Sequence, residues 1–303
     1  MNRKKITLWA VLVLAVTLVL WYLFVKPYDY KITFTSQQSP GTIYSSLIAW
    51  NHWEPKSKKA VSVISKKPFN SIVQEFKVAD SVFKIEWLLT RTSDSVTKVE
   101  ALLSDTEHRL AQRLTMPFKK TDFARRALLT VNNIRKGILA HEEDYRVSEV
   151  TEAVIPESHV AYIELSCKTY EKANIMIKHT IDVMDYIRNN DLELIGDPFL
   201  EIVHWDLQQD QITFHFCFPV EELEDYPQSE VVEIKTLASK KAIKTRFNGN
   251  YKISDRGWYH LIDYAETHGI KVQKLPVEIF LNDPHSGGNE LEWEAQVFLP
   301  LEQ

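Results

Sequence analysis

The chain has 303 residues, of which 45% are hydrophobic and 25% charged, with a formal net charge of −5. That is the profile of a folded protein of about two domains, and its acidic balance leaves out a dedicated nucleic-acid binder, whose footprint is basic. Only Gly287 and Gly288 of the 8 glycines are adjacent, and the two cysteines are Cys167 and Cys217. These rule out dinucleotide and Walker-type phosphate loops, zinc clusters of the usual spacing and a disulfide framework.

Ile6 to Val25 reads ITLWAVLVLAVTLVLWYLFV, without a charge, proline or glycine. At about 1.5 Å per residue this run reaches about 30 Å, the thickness of a hydrocarbon core. Trp9, Trp21 and Tyr22 sit near its ends, where amphipathic rings prefer the interface. Its end, WYLFVKPY, lacks the small residues of a cleavage site, so residues 6–25 read as an uncleaved transmembrane anchor. Arg3, Lys4 and Lys5 precede the span, whereas Lys26 and Lys31 follow it with Asp29 between them. The positive-inside rule then places residues 1–5 in the cytoplasm and exports the bulk, as in a single-pass protein of a bacterial inner membrane. In that compartment Cys167 and Cys217 are free to pair, and buried thiols inside strands explain them equally well.

From Tyr28 the chain alternates as a strand, then breaks at Ser39-Pro40-Gly41-Thr42 into a short helix, Ile43 to Trp50. Strands are expected at 60–65, 72–78, 82–90, 96–103 and 108–116. The clearest sets Phe83, Ile85, Trp87 and Leu89 against Lys84 and Glu86. A long helix follows from Thr121 to Glu143, with an apolar stripe of Phe123, Ala127, Val131, Ile134 and Ile138. This order, with KITFTSQQSPGTIYSSLIAWNHW and its Trp50 and Trp53, resembles the START/polyketide-cyclase (SRPBCC) superfamily. The resemblance implies a helix-grip antiparallel sheet domain over residues 26–147, either an open lipid-binding cup or one that binds nothing. Lys56, Lys58, Lys59, Lys66 and Lys67 read as a solvated loop face or as contacts to anionic headgroups.

Residues 144–158 read as a polar connector or an edge strand, and the domain expected over residues 148–303 then repeats one plan. Strand 160–168, helix 173–189, DPFLEIVHWD and ITFHFCFPV are followed by strand 241–247, helix 254–268, LPVEIFLNDP and AQVFLPL. Pro198 and Pro276 are 78 residues apart, and Pro219 and Pro300 are 81 apart. A strand-helix-strand-strand unit used twice buries its helices on one side and can leave a cleft between the halves. The segments IGDPFLEIVHWD, FCFPV, AIKTRFNGNYK and VEIFLNDP resemble the GyrI-like domain, the effector-binding domain of AraC-type and MerR-type regulators. The resemblance implies a small lipophilic or cationic ligand in that cleft, with a glutamate on the penultimate strand supplying negative charge. Two family features are missing: a glutamate where Gln296 stands, and the histidine and proline of H-x-G-P-Y, which here reads Phe247-Asn248-Gly249-Asn250-Tyr251.

Parity selects the same acid. In 275–282, Val277, Ile279 and Leu281 form an aliphatic face expected to pack under helix 254–268, which turns Glu278 and Phe280 toward the cleft. Gln296 and Phe298 lie across from Ala295 and Val297, Tyr162 and Glu164 from Ile163, and Glu201 and Trp205 from Leu200 and Ile202. The candidate ligand-binding set is Glu278, Phe280, Tyr162, Glu164, Trp205, Gln296 and Phe298. A carboxylate between aromatic walls can hold a cation. His215, inside a strand, reads as a structural histidine. No H-E-x-x-H, G-x-S-x-G or C-x-x-C occurs, so no metal or cofactor is expected. No helix-turn-helix precedes the effector-like segment, which leaves no DNA-reading half.

The expectation is therefore an α+β, membrane-anchored small-molecule-binding protein without nucleic-acid partners. The alternatives are a hydrolase using Glu278 as general base and an envelope scaffold.

Overall fold

The N-terminal apolar run forms helix α1 (Arg3–Leu20) and closes in a wider π turn over Trp21–Val25, where the Lys26 amide donates to the Trp21 carbonyl at 2.9 Å. Residues Lys5–Val25 are long and apolar enough to cross a membrane. Thr17 donates to the Val13 carbonyl at 2.9 Å, which satisfies the hydroxyl without water. These features come from a computed structural model that describes residues 3–53, 60–78, 81–284 and 287–302. The protein is a mixed α+β chain in two compact units, one of Met1–Thr35, Leu47–Thr90 and Lys98–Gly137, the other of Ser36–Ser46, Arg91–Thr97 and Ile138–Gln303.

The first unit is built on a five-stranded sheet ordered β1-β5-β4-β3-β2. Its strands are β1 (Tyr30–Ser36), β2 (Ala60–Lys67), β3 (Ser71–Val78), β4 (Ser81–Ser93) and β5 (Val96–Asp105), with α2 (Pro40–Trp53) after β1. Period-two alternation buries Phe83, Ile85, Trp87 and Leu89 on one face of β4. Helix α4 (Asp122–Ala140), started by a bond from the Ala124 amide to the Thr121 hydroxyl, buries its expected stripe. Its described core holds aromatic and hydrogen-bonded contacts. Phe76 and Phe83 stack at 5.6 Å, Phe83 meets Phe123 edge-on at 6.1 Å, and the Trp87 indole donates to the Gln74 side-chain Oε1 at 2.9 Å. The Trp50 and Trp53 side chains and Lys56, Lys58 and Lys59 lie outside the described residues.

The strand expected at 108–116 is instead helix α3 (Arg109–Thr115). Leu110 and Leu114 are spaced for either period, and the local cap decides: Asp105 accepts from the Glu107 and His108 amides at 2.8 and 2.7 Å, which turns the chain into a helix. This helix carries Arg113 to the end of α1. The fully buried guanidinium pairs with Asp29 at 2.7 Å and donates to the carbonyls of Tyr22 and Leu23 at 3.0 and 2.9 Å and of Lys26 at 2.5 Å. It thereby occupies carbonyls that a helix C-terminus leaves unpaired.

The second unit holds a nine-stranded sheet. Eight strands run in the order β11-β8-β10-β9-β13-β14-β12-β6, and β7 also pairs with β12. The strands are β6 (Tyr145–Val147), β7 (Thr151–Ile155), β8 (Ser158–Lys168), β9 (Phe199–Asp206), β10 (Gln211–Pro219), β11 (Glu233–Leu237), β12 (Lys240–Gly249), β13 (Val277–Phe280) and β14 (Glu294–Pro300). Helices α5 (Lys172–Asn189) and α6 (Asp255–His268) follow β8 and β12. Each half thus orders its strands first, third, second, and the halves meet where β9 pairs antiparallel with β13. The sequence does not announce β11, a short strand of five residues that extends the edge beside β8.

Candidate functional site

Register decides which residues of the second unit share a face. β13 pairs with β14 so that Glu278 stands opposite Val297 and Phe280 opposite Ala295, while Val277 faces Phe298 and Ile279 faces Gln296. Val297 packs directly under α6: a Cβ added to Gly257 would lie 2.8 Å from its Cγ2. Glu278 and Phe280 are therefore on the helix face, and Val277 and Ile279 on the other. This inverts the expectation that the aliphatic residues of β13 pack under α6. A strand of four residues has too short an alternation to choose a face, and pairing with β14 makes the choice.

Glu278 is fully buried. Its Oε2 accepts from the Trp258 indole at 3.1 Å and lies 3.8 Å from the Lys172 ammonium. The other oxygen, Oε1, has no hydrogen-bond partner among the described residues. Burial pushes the carboxyl above the ordinary glutamate range, against the Lys172 charge and bonds from Ser254 and Trp258. Lys172, only 1% exposed, donates to the Tyr251 carbonyl at 2.8 Å and the Ser254 hydroxyl at 2.5 Å, and its nitrogen is 5.5 Å from the Trp258 ring centroid. The position expected to receive a ligand's cation beside Glu278 is filled by the chain's own lysine.

Beside this pair is a cavity of about 460 Å³. Helix α5 lines it with Lys172, Met176, Thr180, Met184 and Arg188, a row at every fourth residue along one side of the helix. Phe216, Phe218 and Phe280 from the sheet, and Tyr251 from the turn before α6, add aromatic walls. Tyr251 is fixed from three directions. Its ring lies 4.9 Å from that of Phe280, its hydroxyl donates to the Glu294 carbonyl at 2.7 Å, and the Asn282 amide donates to that hydroxyl at 3.2 Å. Arg188, Asp197 and Asp283 are the exposed charges of the lining.

Of the seven candidate residues, Phe280 alone lines this cavity, with Glu278 buried next to its Lys172 wall. Trp205 reaches the helix face but packs edge-on against Trp258 at 5.5 Å. A bulge beside Thr213 and Phe214 shifts the β9 register, so Trp205 joins the Leu200 and Ile202 face rather than that of Glu201. Tyr162, Glu164, Gln296 and Phe298 are on the opposite face of the sheet. There Phe298 is buried with Val277, Phe199 and Cys217. Glu201, on the same face, accepts from Lys235 at 2.7 Å and Lys240 at 3.2 Å, with His215 at 3.4 Å. Burial opposes its ionisation, but the His215 and Lys235 hydrogen bonds and the charges of Lys235 and Lys240 prevail and bring its carboxyl down to about 2. His215 also meets Glu164 at 3.2 Å, so it is a hydrogen-bonded strand histidine.

Cys167 and Cys217 are both buried and free. In the β8–β10 register Cys167 faces Ile212 and Cys217 faces Tyr162, five residues apart along the ladder, which keeps the thiols from pairing. Burial pushes both thiols above the ordinary range. The residues that sequence reasoning missed are Lys172, Met176, Thr180 and Met184. Their signal is the four-residue spacing on α5.

No family model matches the chain, and no curated protein matches it. Several solved structures are similar to about half of it. The C-terminal domain of EcmrR is 16% identical, with a TM-score of 0.44 over 51% of this chain and 98% of that one. SAV2435, solved bound to tetraphenylphosphonium, is 13% identical, with a TM-score of 0.38 over 51% of this chain and 94% of its own. A hydrolase from Listeria innocua is 12% identical, with a TM-score of 0.34 over 51% and 92% of the two chains. At these scores the likenesses carry no argument.

Proposed function

We propose that this is a membrane-tethered protein that holds a lipophilic small molecule in the cavity beside α5. The observation that carries this reading is the cavity itself: about 460 Å³ lined by methionine, aliphatic and aromatic side chains with few polar groups, the make-up of small-molecule sites. The landmarks that resemble the GyrI-like domain support it, because Tyr251, Phe280, Asp283 and Pro284 all line that cavity.

The tether is Ile6 to Val25, spanning a bacterial inner membrane with residues 1–5 in the cytoplasm and the rest exported. The Arg113 bonds to the end of the span support a fixed connection rather than a loose one. Leu110, Leu114 and Phe118, which are 47%, 55% and 87% exposed, follow Arg109 and precede Lys119 and Lys120. Apolar side chains among basic ones at the end of a span suit the headgroup region.

The test uses the full chain in lipid nanodiscs and equilibrium dialysis with radiolabelled triphenylphosphine oxide. Nanodiscs bearing Thr180→Trp, which fills the cavity from α5, provide the background. Saturable binding to wild type above that background is the expected result. Equal uptake by both refutes the reading.

A further inference from the structure

We infer that Lys172 is the resident counter-ion of Glu278 and makes the cavity select an uncharged lipophile over a cation. This rests on the cavity reading above and adds the charge of the ligand to it. The Lys172 nitrogen is buried, 3.8 Å from the carboxylate, held by the Tyr251 carbonyl and the Ser254 hydroxyl, and near the face of Trp258. A ligand cation would seek those same features: a buried acid, hydrogen-bond acceptors and an aromatic face. The Lys172 ammonium, which also lines the cavity, already sits against Glu278 Oε2, the Tyr251 carbonyl, the Ser254 hydroxyl and the Trp258 ring.

The conclusion holds for both protonation states of the acid. With Glu278 ionised, the pair beside the cavity is neutral. With Glu278 protonated, the wall presents a net positive charge. Neither attracts a cation, and desolvating one against Lys172 is unfavourable. The other charged lining residues, Arg188, Asp197 and Asp283, are exposed to water, where screening shortens their reach. An uncharged molecule meets mainly thioether, aliphatic and aromatic walls, with Thr180 and Asn282 as neutral polar groups among them.

The experiment compares triphenylphosphine oxide, uncharged, with tetraphenylphosphonium, a lipophilic cation of similar build. Both are measured on the nanodisc-held full chain above the Thr180→Trp background. Wild type is expected to bind the oxide at least tenfold tighter than the phosphonium. Lys172→Met should tighten phosphonium binding at least tenfold, and Lys172→Met/Glu278→Gln should lose that gain. Wild type that binds the phosphonium as tightly as the oxide overturns the inference and leaves the cavity reading standing. A Lys172→Met variant with unchanged preference, folded by circular dichroism, also overturns it. If Lys172→Met does not fold, the wild-type preference alone decides. Absence of cavity-specific binding of either probe overturns the cavity reading, and this inference with it.

Discussion

Removing Lys172 while leaving Glu278 in place measures how far the pair is coupled. Two unit charges 3.8 Å apart attract by about 4 kcal/mol at an effective dielectric constant of about 20. Lys172→Met removes the charge facing Glu278 and leaves the carboxyl the Trp258 indole bond at 3.1 Å, with Oε1 unpartnered among the described residues. Methionine refills most of the lysine volume, so the cavity cost is small. The Tyr251 carbonyl still accepts from Ser254 at 2.8 Å. What remains is a stranded acid, for which about 3–5 kcal/mol is typical. Glu278→Gln, which keeps an acceptor for Trp258, should cost about 1–2 kcal/mol. The double variant should recover to within about 1 kcal/mol of wild type. Urea unfolding of the nanodisc-held chain, followed by circular dichroism, reads all four proteins. A Lys172→Met variant within about 1 kcal/mol of wild type, or a double variant whose loss equals the sum of the single losses, refutes the coupling.

Glu201 should govern acid sensitivity. Its folded pKa of about 2 lies below the ordinary 4.5, so its contribution is fully present above about pH 4.5 and lost as pH falls toward 2. With partial solvent screening this is worth roughly 1–3 kcal/mol. Glu201→Gln should flatten the stability profile of the second unit between those values, and an unchanged slope would refute the assignment. At the membrane, spin labels on Leu114→Cys and Phe118→Cys should be more accessible to oxygen than to a water-soluble nickel chelate. A label on Lys136→Cys, an exposed residue of α4, should show the reverse. Equal aqueous access at all three sites would remove α3 from the headgroup region.

Much of the fold was legible because some elements carry their own periodicity. The alternation in β4 and the stripe on α4 each extend over enough residues to select a buried face. The doubled strand-helix-strand-strand plan could be read from spacing and corresponds to the mirrored strand order of the second unit. Elements failed where the deciding partner was distant or the signal short. α3 depends on the Asp105 cap, β13 on its register with β14, and the facing of Trp205 on a bulge. The candidate site was legible as a neighbourhood and not as a set of contacts. Glu278 and Phe280 were identified by position, but the lysine beside Glu278 comes from a helix 106 residues earlier in the chain. No local pattern announces that meeting.

The most direct measurement of the central claim is mass spectrometry of organic extracts from purified wild type and Thr180→Trp proteins, prepared in parallel from the same cells. The account predicts an uncharged lipophilic compound recovered in near-stoichiometric amount from wild type and depleted from the variant. Extracts that do not differ, or a wild-type-specific compound that is a permanent cation, would contradict it.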